Sequence, residues 1–329
     1  MFVLVLRSAV LCVMALQSHL KGTAHDDVWN HTLALASHPS HGSAWPTTNY
    51  PQCPERLAAN VGCDYVSSAP RFAVASIERI LDHLAHGEKP QFSSGVYKVN
   101  KRSEQINRLR MKLLLLWHTL ERLRPAAPSA VVELGCFVGT TTMGLRMVMD
   151  ALGFRAPGHL LHCFDSWQGL PAPTDSDMGT SSRKGSLTAS MRTYTQRFRA
   201  SGLDLPVLHS GFFGDIPSSE YPDRIAYAYF DSDLYESIMQ SFNRTYDKML
   251  PGGTIVVDDY LFEGFKGVKP AVDEFLEDKP EGQRTPLLLA TKTSHVVPRN
   301  RAGRKGEALA GKTRIPFQFL EGVIEIAST

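Results

Sequence analysis

The chain has 329 residues, 43% of them hydrophobic and 21% charged, with a formal net charge of +2 at pH 7. That length holds one large α/β domain with extensions or two modest domains, and the apolar fraction supports a sizeable core. Near-neutral charge excludes a strongly basic nucleic-acid binder or a coat for anionic membrane, so function has to reside in local sites.

Residues 1–24 read as a possible signal or leader segment. Arg7 precedes an apolar run, Ala9–Leu16, which is too short for the ~20 residues of a membrane span. Secretory or organellar entry stands beside a cytoplasmic location, and the triplets Asn30-His31-Thr32 and Asn243-Arg244-Thr245 fit the secretory route. The five cysteines form no CxxC pair, which argues against structural zinc. Cys136 and Cys163 fall in core segments as small buried hydrophobes, whereas Cys53 and Cys63 could pair in an oxidising compartment.

Residues 25–100 form an irregular and helical extension. Within it Phe72, Ile77, Ile80, Leu81 and Leu84 recur at helical spacing, stopping at Gly87. A second helix, Ile106–Leu123, carries Leu109, Leu113, Leu116, Trp117, Leu120 and Leu123 along one side, and Pro125 ends it. The main domain, 101–329, then alternates short apolar runs with helices. Val131–Leu134 is a nearly unbroken apolar strand, and Thr140–Leu152 a helix closed by Gly153. Strands follow at Leu160–Phe164, more weakly at Pro206–Leu208, and at Ile225–Phe230. Leu234–Leu250 reads as a helix through Ile238, Phe242, Tyr246 and Met249, and Pro251-Gly252-Gly253 turns into a strand at Thr254–Val257. Pro270 suits the first turn of a helix reaching about Glu277.

This alternation predicts a doubly wound, mostly parallel seven-stranded Rossmann-like sheet. Its last strands, Leu287–Ala290 and Gly322–Ile326, have no helix between them and supply an antiparallel edge. The insertion 292–316 holds seven basic residues against the single acid Glu307, as a solvated loop or as a lid for an acidic partner.

Chemistry concentrates at the strand ends. Val131–Leu134 runs into Gly135-Cys136-Phe137-Val138-Gly139-Thr140, a glycine turn opening a helix. A dinucleotide turn reads G-x-G-x-x-G, its second glycine admitting the pyrophosphate. Here that position is Phe137, so E-x-G-x-x-x-G disfavours an NAD dehydrogenase and favours S-adenosylmethionine, which has no phosphate. Glu133, Gly135, Gly139 and Thr140 are therefore candidate cofactor residues, with Glu133 facing the methionine end. Asp165 and Ser166 follow the second strand, where a carboxylate can take both ribose hydroxyls.

The fourth strand ends in Asp231-Ser232-Asp233 and the fifth in Asp258-Asp259. If these strands are neighbours, ~4.8 Å apart, Asp231, Asp258 and Asp259 converge and repel unless a cation compensates them. Oxygen ligands without His or Cys suit Mg2+. Asp231 is also the candidate general base, while Asp233 reads as the cap of the next helix.

These blocks resemble the macrocin O-methyltransferase family, class I S-adenosylmethionine-dependent bacterial enzymes that methylate sugar hydroxyls on macrolide and aminocoumarin antibiotics. The likeness covers roughly residues 105–291. Its carriers are Phe164-Asp165-Ser166-Trp167-Gln168-Gly169-Leu170-Pro171, Gly211-Phe212-Phe213-Gly214-Asp215-Ile216-Pro217, Asp231-Ser232-Asp233-Leu234-Tyr235-Glu236-Ser237, Leu250-Pro251-Gly252-Gly253, Val256-Val257-Asp258-Asp259-Tyr260 and Gly267–Phe275. The resemblance implies Mg2+ on Asp231, Asp258 and Asp259, Asp231 as base, Phe213 and Asp215 near the adenine, and a substrate lid around Asp175, Asp177 and Met178. The first motif departs from the family, lacking its arginine and paired glycines. The expected acceptor is a small, glycosidic hydroxyl compound, with no nucleic acid or stable membrane span, and a homodimer is compatible. A catechol-type cation-dependent O-methyltransferase and a non-catalytic binding module are the rival readings.

Overall fold

The structure is a computed structural model that describes residues 71–86, 91–92, 95–96, 104–124, 127–155, 159–180, 182–279, 287–290 and 320–326. The leader, Cys53, Cys63, the Asn30 triplet and the basic insertion lie outside the described residues.

Helix α1 (Arg71–His86) buries Ala73, Ile77, Ile80, Leu81 and Leu84, one per turn or nearly so, as an amphipathic period demands. Phe72, expected on that stripe, is half-exposed and meets Trp117 only edge-on, with ring centroids 6.2 Å apart. A two-residue antiparallel pair, β1 (Gln91–Phe92) and β2 (Gly95–Val96), leads to helix α2 (Glu104–Leu123). Then come β3 (Ala130–Leu134), α3 (Thr140–Ala151), β4 (Leu160–Asp165), α4 (Met191–Ala200), β5 (Val207–Ser210) and β6 (Ile225–Phe230). The chain continues through α5 (Tyr235–Thr245), β7 (Met249–Val257), α6 (Val268–Leu276), β8 (Leu287–Ala290) and β9 (Leu320–Glu325).

The main sheet has the order β5-β4-β3-β6-β7-β9-β8, with β3 to β7 parallel and β9 pairing antiparallel with both β7 and β8. Its central strands are buried on both faces, which is why they read as unbroken apolar runs. On β6, Tyr227 and Tyr229 join the core formed with α1, α2 and α3, while Ala228 and Phe230 join the core formed with α5 and α6. Helix α1, from the N-terminal extension, packs on α2 and α3 and so belongs to the domain's core.

Two elements depart from expectation. Helix α4 was not anticipated, because only Tyr194 and Phe198 are buried in a segment otherwise rich in Arg and Thr. Helix α5 ends at Thr245 rather than Leu250. A 3-10 turn, Tyr246–Lys248, follows, and Met249 already pairs with Ile225 as part of β7. The Asn243 triplet thus lies in a helix, with Thr245 buried and its hydroxyl bonded to Ser241 O at 2.7 Å.

Candidate active site

The parallel ladder runs one hydrogen bond beyond each strand end. Gly135 N–H donates to Phe164 O (2.9 Å), Asp231 N–H to Leu134 O (2.9 Å) and Asp258 N–H to Phe230 O (2.8 Å). The residues after β3, β6 and β7 therefore stand in a row at the carboxyl end of the sheet. Strand order reverses beside β3, the place where open α/β sheets bind ligands. A cavity of about 370 Å3 opens there, within the usual range for small-molecule sites. Its wall includes Gly135, Asp165, Ser166, Phe213, Asp215 and Asp231, six of the expected site residues.

Gly135 has φ +94°, and a Cβ there would fall 1.9 Å from the carbonyl oxygen of Asp231, so only glycine lets the β3 turn meet the β6 tip. Asp165 holds this turn from the next strand. Its Oδ2 accepts the N–H groups of Cys136 and Phe137, both at 2.9 Å, and its Oδ1 accepts Trp167 N–H at 2.7 Å. Three of the roughly four acceptor positions of a carboxylate are thereby used. Burial raises the Asp165 carboxyl, and these three bonds oppose the rise. Cys136 and Cys163 are buried as expected, but they are joined by a disulfide, Cα–Cα 6.1 Å, linking the turn to β4.

Three expected cofactor residues do not line the cavity. Gly139 caps α3 with φ +78°, and its missing side chain is required by Tyr194, whose ring carbon lies 2.6 Å from the would-be Cβ. Thr140 is buried with its hydroxyl 3.3 Å from Arg197 Nη1. Glu133 is 1% exposed, and its Oε2 has no hydrogen-bond partner among the described residues. Burial pushes its carboxyl well above the usual range, with the nearby Thr142 hydroxyl only partly opposing.

The aspartates of the β6 and β7 tips meet, but not in the grouping expected. One carboxylate oxygen from each of Asp231, Asp233 and Asp259 lies within 4.8 Å of the others. Asp258, at the same strand tip, is held in a buried network that it shares with Asp231 and Asp259. Lys112 Nζ, on α2, reaches its Oδ2 at 3.0 Å, the Tyr229 hydroxyl reaches the same oxygen at 2.7 Å, and Arg108 bonds its Oδ1. Arg108 also bonds Asp259 Oδ1 at 2.7 Å, and Tyr229 OH lies 3.0 Å from Asp231 Oδ2. Sequence reasoning missed Arg108, Lys112 and Tyr229. The available signal was Lys112 itself, a charge inside the run Met111–Trp117 whose other members are all buried apolar residues.

Electrostatics divides the four acids. Burial would raise Asp258, yet the charges of Arg108 and Lys112 and the Tyr229 hydroxyl hold it well below the usual carboxylate range. Burial, then the charge of Asp258, pushes Asp231 up to about 8 and Asp259 up to about 6. Asp233 is raised by burial and by Asp231. Carboxylates so placed either take protons or gather around a cation, so the donor set fits a hard divalent ion.

The expected lid is pinned at one point. Asp177 is buried, its Oδ2 accepting from the Thr174 N–H and hydroxyl, both at 2.9 Å. Its Oδ1 accepts Tyr235 N–H at 2.8 Å, so it caps α5 from a distance. Met178 is exposed.

A family model described as Macrocin-O-methyltransferase (TylF) matches residues 106–287, more than half of the chain and all of the cavity. The chain belongs to this family. It is 27% identical over 149 residues to an 8-demethyl-8-(2,3-dimethoxy-alpha-L-rhamnosyl)-tetracenomycin-C 4'-O-methyltransferase of Streptomyces olivaceus, covering 43% of this chain and 56% of that one. It is 28% identical over 156 residues to a Mycinamicin III 3''-O-methyltransferase of Micromonospora griseorubida, covering 44% and 61%. It is 30% identical over 156 residues to a demethyldecarbamoylnovobiocin O-methyltransferase of Streptomyces niveus, covering 45% and 58%. The chain thus spans little more than half the length of the curated relatives it matches. Among solved structures, the fold resembles the O-methyltransferase NovP, TM-score 0.54 at 19% identity, covering 78% of this chain and 100% of that one. It also resembles the calicheamicin methyltransferase CalS11, TM-score 0.50 at 16% identity, covering 76% and 90%.

Proposed function

We propose that this TylF-family protein transfers a methyl group from S-adenosylmethionine to a hydroxyl of a sugar-bearing small molecule, with Mg2+ at the aspartate cluster. One observation carries the reading: Asp231, a half-buried carboxylate of raised proton affinity, stands on the wall of the same cavity as the Gly135 turn and Asp165. The rhamnosyl group in the name of the Streptomyces olivaceus relative supports a glycosidic acceptor.

Bound there, S-adenosylmethionine supplies a methyl group on a positively charged sulfur. A divalent ion at the cluster supplies positive charge that lowers the pKa of a neighbouring hydroxyl. The chain's own residues do the rest. Asp165 keeps the glycine turn in shape and retains one acceptor position toward the cavity. Phe213 and Asp215 also line the cavity, where the Phe213 ring could stack on a flat base. Asp231 receives the hydroxyl proton as the C–S bond breaks and the O–C bond forms, its orientation fixed by the Tyr229 hydroxyl. General-base help of this kind is worth about 10²–10⁴-fold.

The test is incubation of the full-length protein with methyl-labelled S-adenosylmethionine and a panel of glycosides, catechols and simple phenols, in Mg2+ and in EDTA. Label should enter a glycoside only with the metal present. Transfer to catechols alone would favour the phenolic reading. Full turnover in EDTA would remove the metal from the mechanism, and no transfer to any acceptor despite donor binding would leave a binding module.

A further inference from the structure

Asp177 belongs to the 3-10 turn Asp175–Asp177, between β4 and α4, and is 1% exposed. Burying a carboxylate is costly unless hydrogen bonds or opposite charge compensate it. Its Oδ2 is satisfied locally, by the Thr174 N–H and hydroxyl at 2.9 Å, but its Oδ1 reaches out of the turn and accepts Tyr235 N–H at 2.8 Å. The sequence predicts Asp233 for that duty. Instead the N-cap position of α5 is Leu234, with no side-chain cap, and Asp177 supplies the acceptor at the helix end whose dipole favours a negative charge.

A second observation comes from the opposite side of the same oxygen. Gly267, the residue before α6, has φ −74° and ψ −20°, an ordinary helical conformation that any residue adopts. Its backbone gives no reason for glycine, but space does. A Cβ at Gly267 would fall 2.0 Å from Asp177 Oδ1 and 3.0 Å from Tyr235 Cβ. The oxygen that holds the start of α5 thus occupies the place of a side chain at the start of α6. Both helix starts follow acid-bearing strand tips: Asp231-Ser232-Asp233 leads from β6 into α5, and Asp258-Asp259 opens the loop from β7 to α6.

We infer that Asp177 is a positioning residue for methyl transfer: its Oδ1, set between the first residue of α5 and Gly267, fixes the turn that presents Asp231 to the cavity. The inference rests on the proposed function, in which Asp231 receives the proton. Asp177 itself is not among the residues that line the cavity, and the Gly135 turn is shaped by the bonds of Asp165. Loss of the Asp177 carboxylate should therefore slow the chemistry and leave donor binding intact.

Asp177→Ala and Gly267→Ala, singly and together in the full-length protein, test this. The first removes the acceptor, and the second presses on it from the other side although alanine suits a helix start better than glycine. At saturating donor and acceptor each single variant should turn over about tenfold more slowly, because a small misplacement of a reacting group is enough for that. The calorimetric dissociation constant for S-adenosylmethionine should stay within about threefold of wild type. Since both changes act on one oxygen, their effects should not add. With the carboxylate gone the Gly267→Ala methyl has room, so the double variant should be no slower than Asp177→Ala. Hydrogen exchange supplies a readout that needs no turnover: Asp177→Ala should speed exchange within residues 231–238 about fivefold, the worth of one helix cap, and leave residues 133–140 unchanged. If Asp177→Ala folds poorly, Gly267→Ala alone carries both readouts. Wild-type turnover in the single variants, multiplied losses in the double variant, or unchanged exchange in 231–238 overturns the inference. A wild type that transfers no methyl overturns the proposed function instead, and the exchange pattern still decides whether Asp177 holds the turn.

Discussion

The cavity has two carboxylate stations, and they are built on opposite principles. At the β4 tip, Asp165 is surrounded by donors, with three backbone N–H groups between 2.7 and 2.9 Å. At the β6 and β7 tips, Asp231, Asp233 and Asp259 are surrounded by one another, with proton affinities raised by burial and by neighbouring acids. The first station is complete as the chain folds and serves to shape the turn. The second holds charge that Arg108 and Lys112 compensate at Asp258 and, through Arg108, at one oxygen of Asp259. A fully bonded carboxylate thus shares one cavity wall with carboxylates that lack such donors, and substitutions should separate the two.

The largest effect is expected at the reactive station. Asp231→Asn removes the proton acceptor yet leaves the glycine turn and Asp165 untouched. Turnover should fall about 10³-fold, within the range for loss of a general base, while the dissociation constant for S-adenosylmethionine, measured by calorimetry, stays within about threefold of wild type. A parallel collapse of donor affinity would mean that the two stations are not separable.

Asp165→Asn is the complementary break and a smaller one. The amide has nearly the same shape but lacks charge and offers an NH2 where an oxygen received an N–H. Hydrogen bonds to a charged group are worth about 1.5–3 kcal/mol each. Loss of one such bond should raise the donor's dissociation constant about 30-fold and lower the melting temperature, with turnover at saturating donor reduced only modestly. A turnover loss equal to that of Asp231→Asn would show that Asp165 acts in the chemistry and not in shaping the turn.

The same contrast explains what the sequence disclosed. Strand ends were legible because doubly covered strands must be continuous apolar runs, and β6 was delimited to the residue, Ile225–Phe230. The acids at the strand tips followed, since Asp231 and Asp258 come directly after buried strands, where an acid has few other reasons to be. The pairing of Asp258 with Arg108 and Lys112, and the capping of α5 by Asp177 rather than Asp233, were missed because the deciding partners lie far off in sequence. Lys112 is 146 residues from Asp258, and Asp177 is 58 residues from Tyr235. Local reading cannot weigh such pairings. The same applies to Gly139, where glycine serves the packing of Tyr194 rather than a ligand, and to α5, whose apolar period continues through Tyr246 and Met249 after the backbone has left the helix.

The smallest effect sharpens the comparison from outside the cavity. His162, on β4, is buried against His209 of β5, with Nδ1 3.0 Å from His209 Nε2, and it stacks near Phe164; Glu220 lies on the far side of His209. Burial, then the neighbouring His209, lowers His162 from 6.5 to about 4. The folded state therefore prefers the neutral ring. Its contribution to stability is complete above pH 6.5 and is lost as pH falls toward 4, where the unfolded chain takes a proton and the folded one does not. At pH 5 the loss is at most about 2 kcal/mol, using 1.36 kcal/mol per pKa unit. The raised carboxyls Asp231 and Asp259 act in the other direction, since their protonation on acidification relieves repulsion. Because both proteins share them, the difference between wild type and His162→Gln isolates the histidine. Glutamine keeps a hydrogen-bonding group near His209 but does not titrate, so the drop in melting temperature between pH 7 and pH 5 should shrink by a few degrees in His162→Gln. An equal drop in both proteins would show that β4 gains nothing from a neutral ring, and that the acid sensitivity of the fold arises elsewhere.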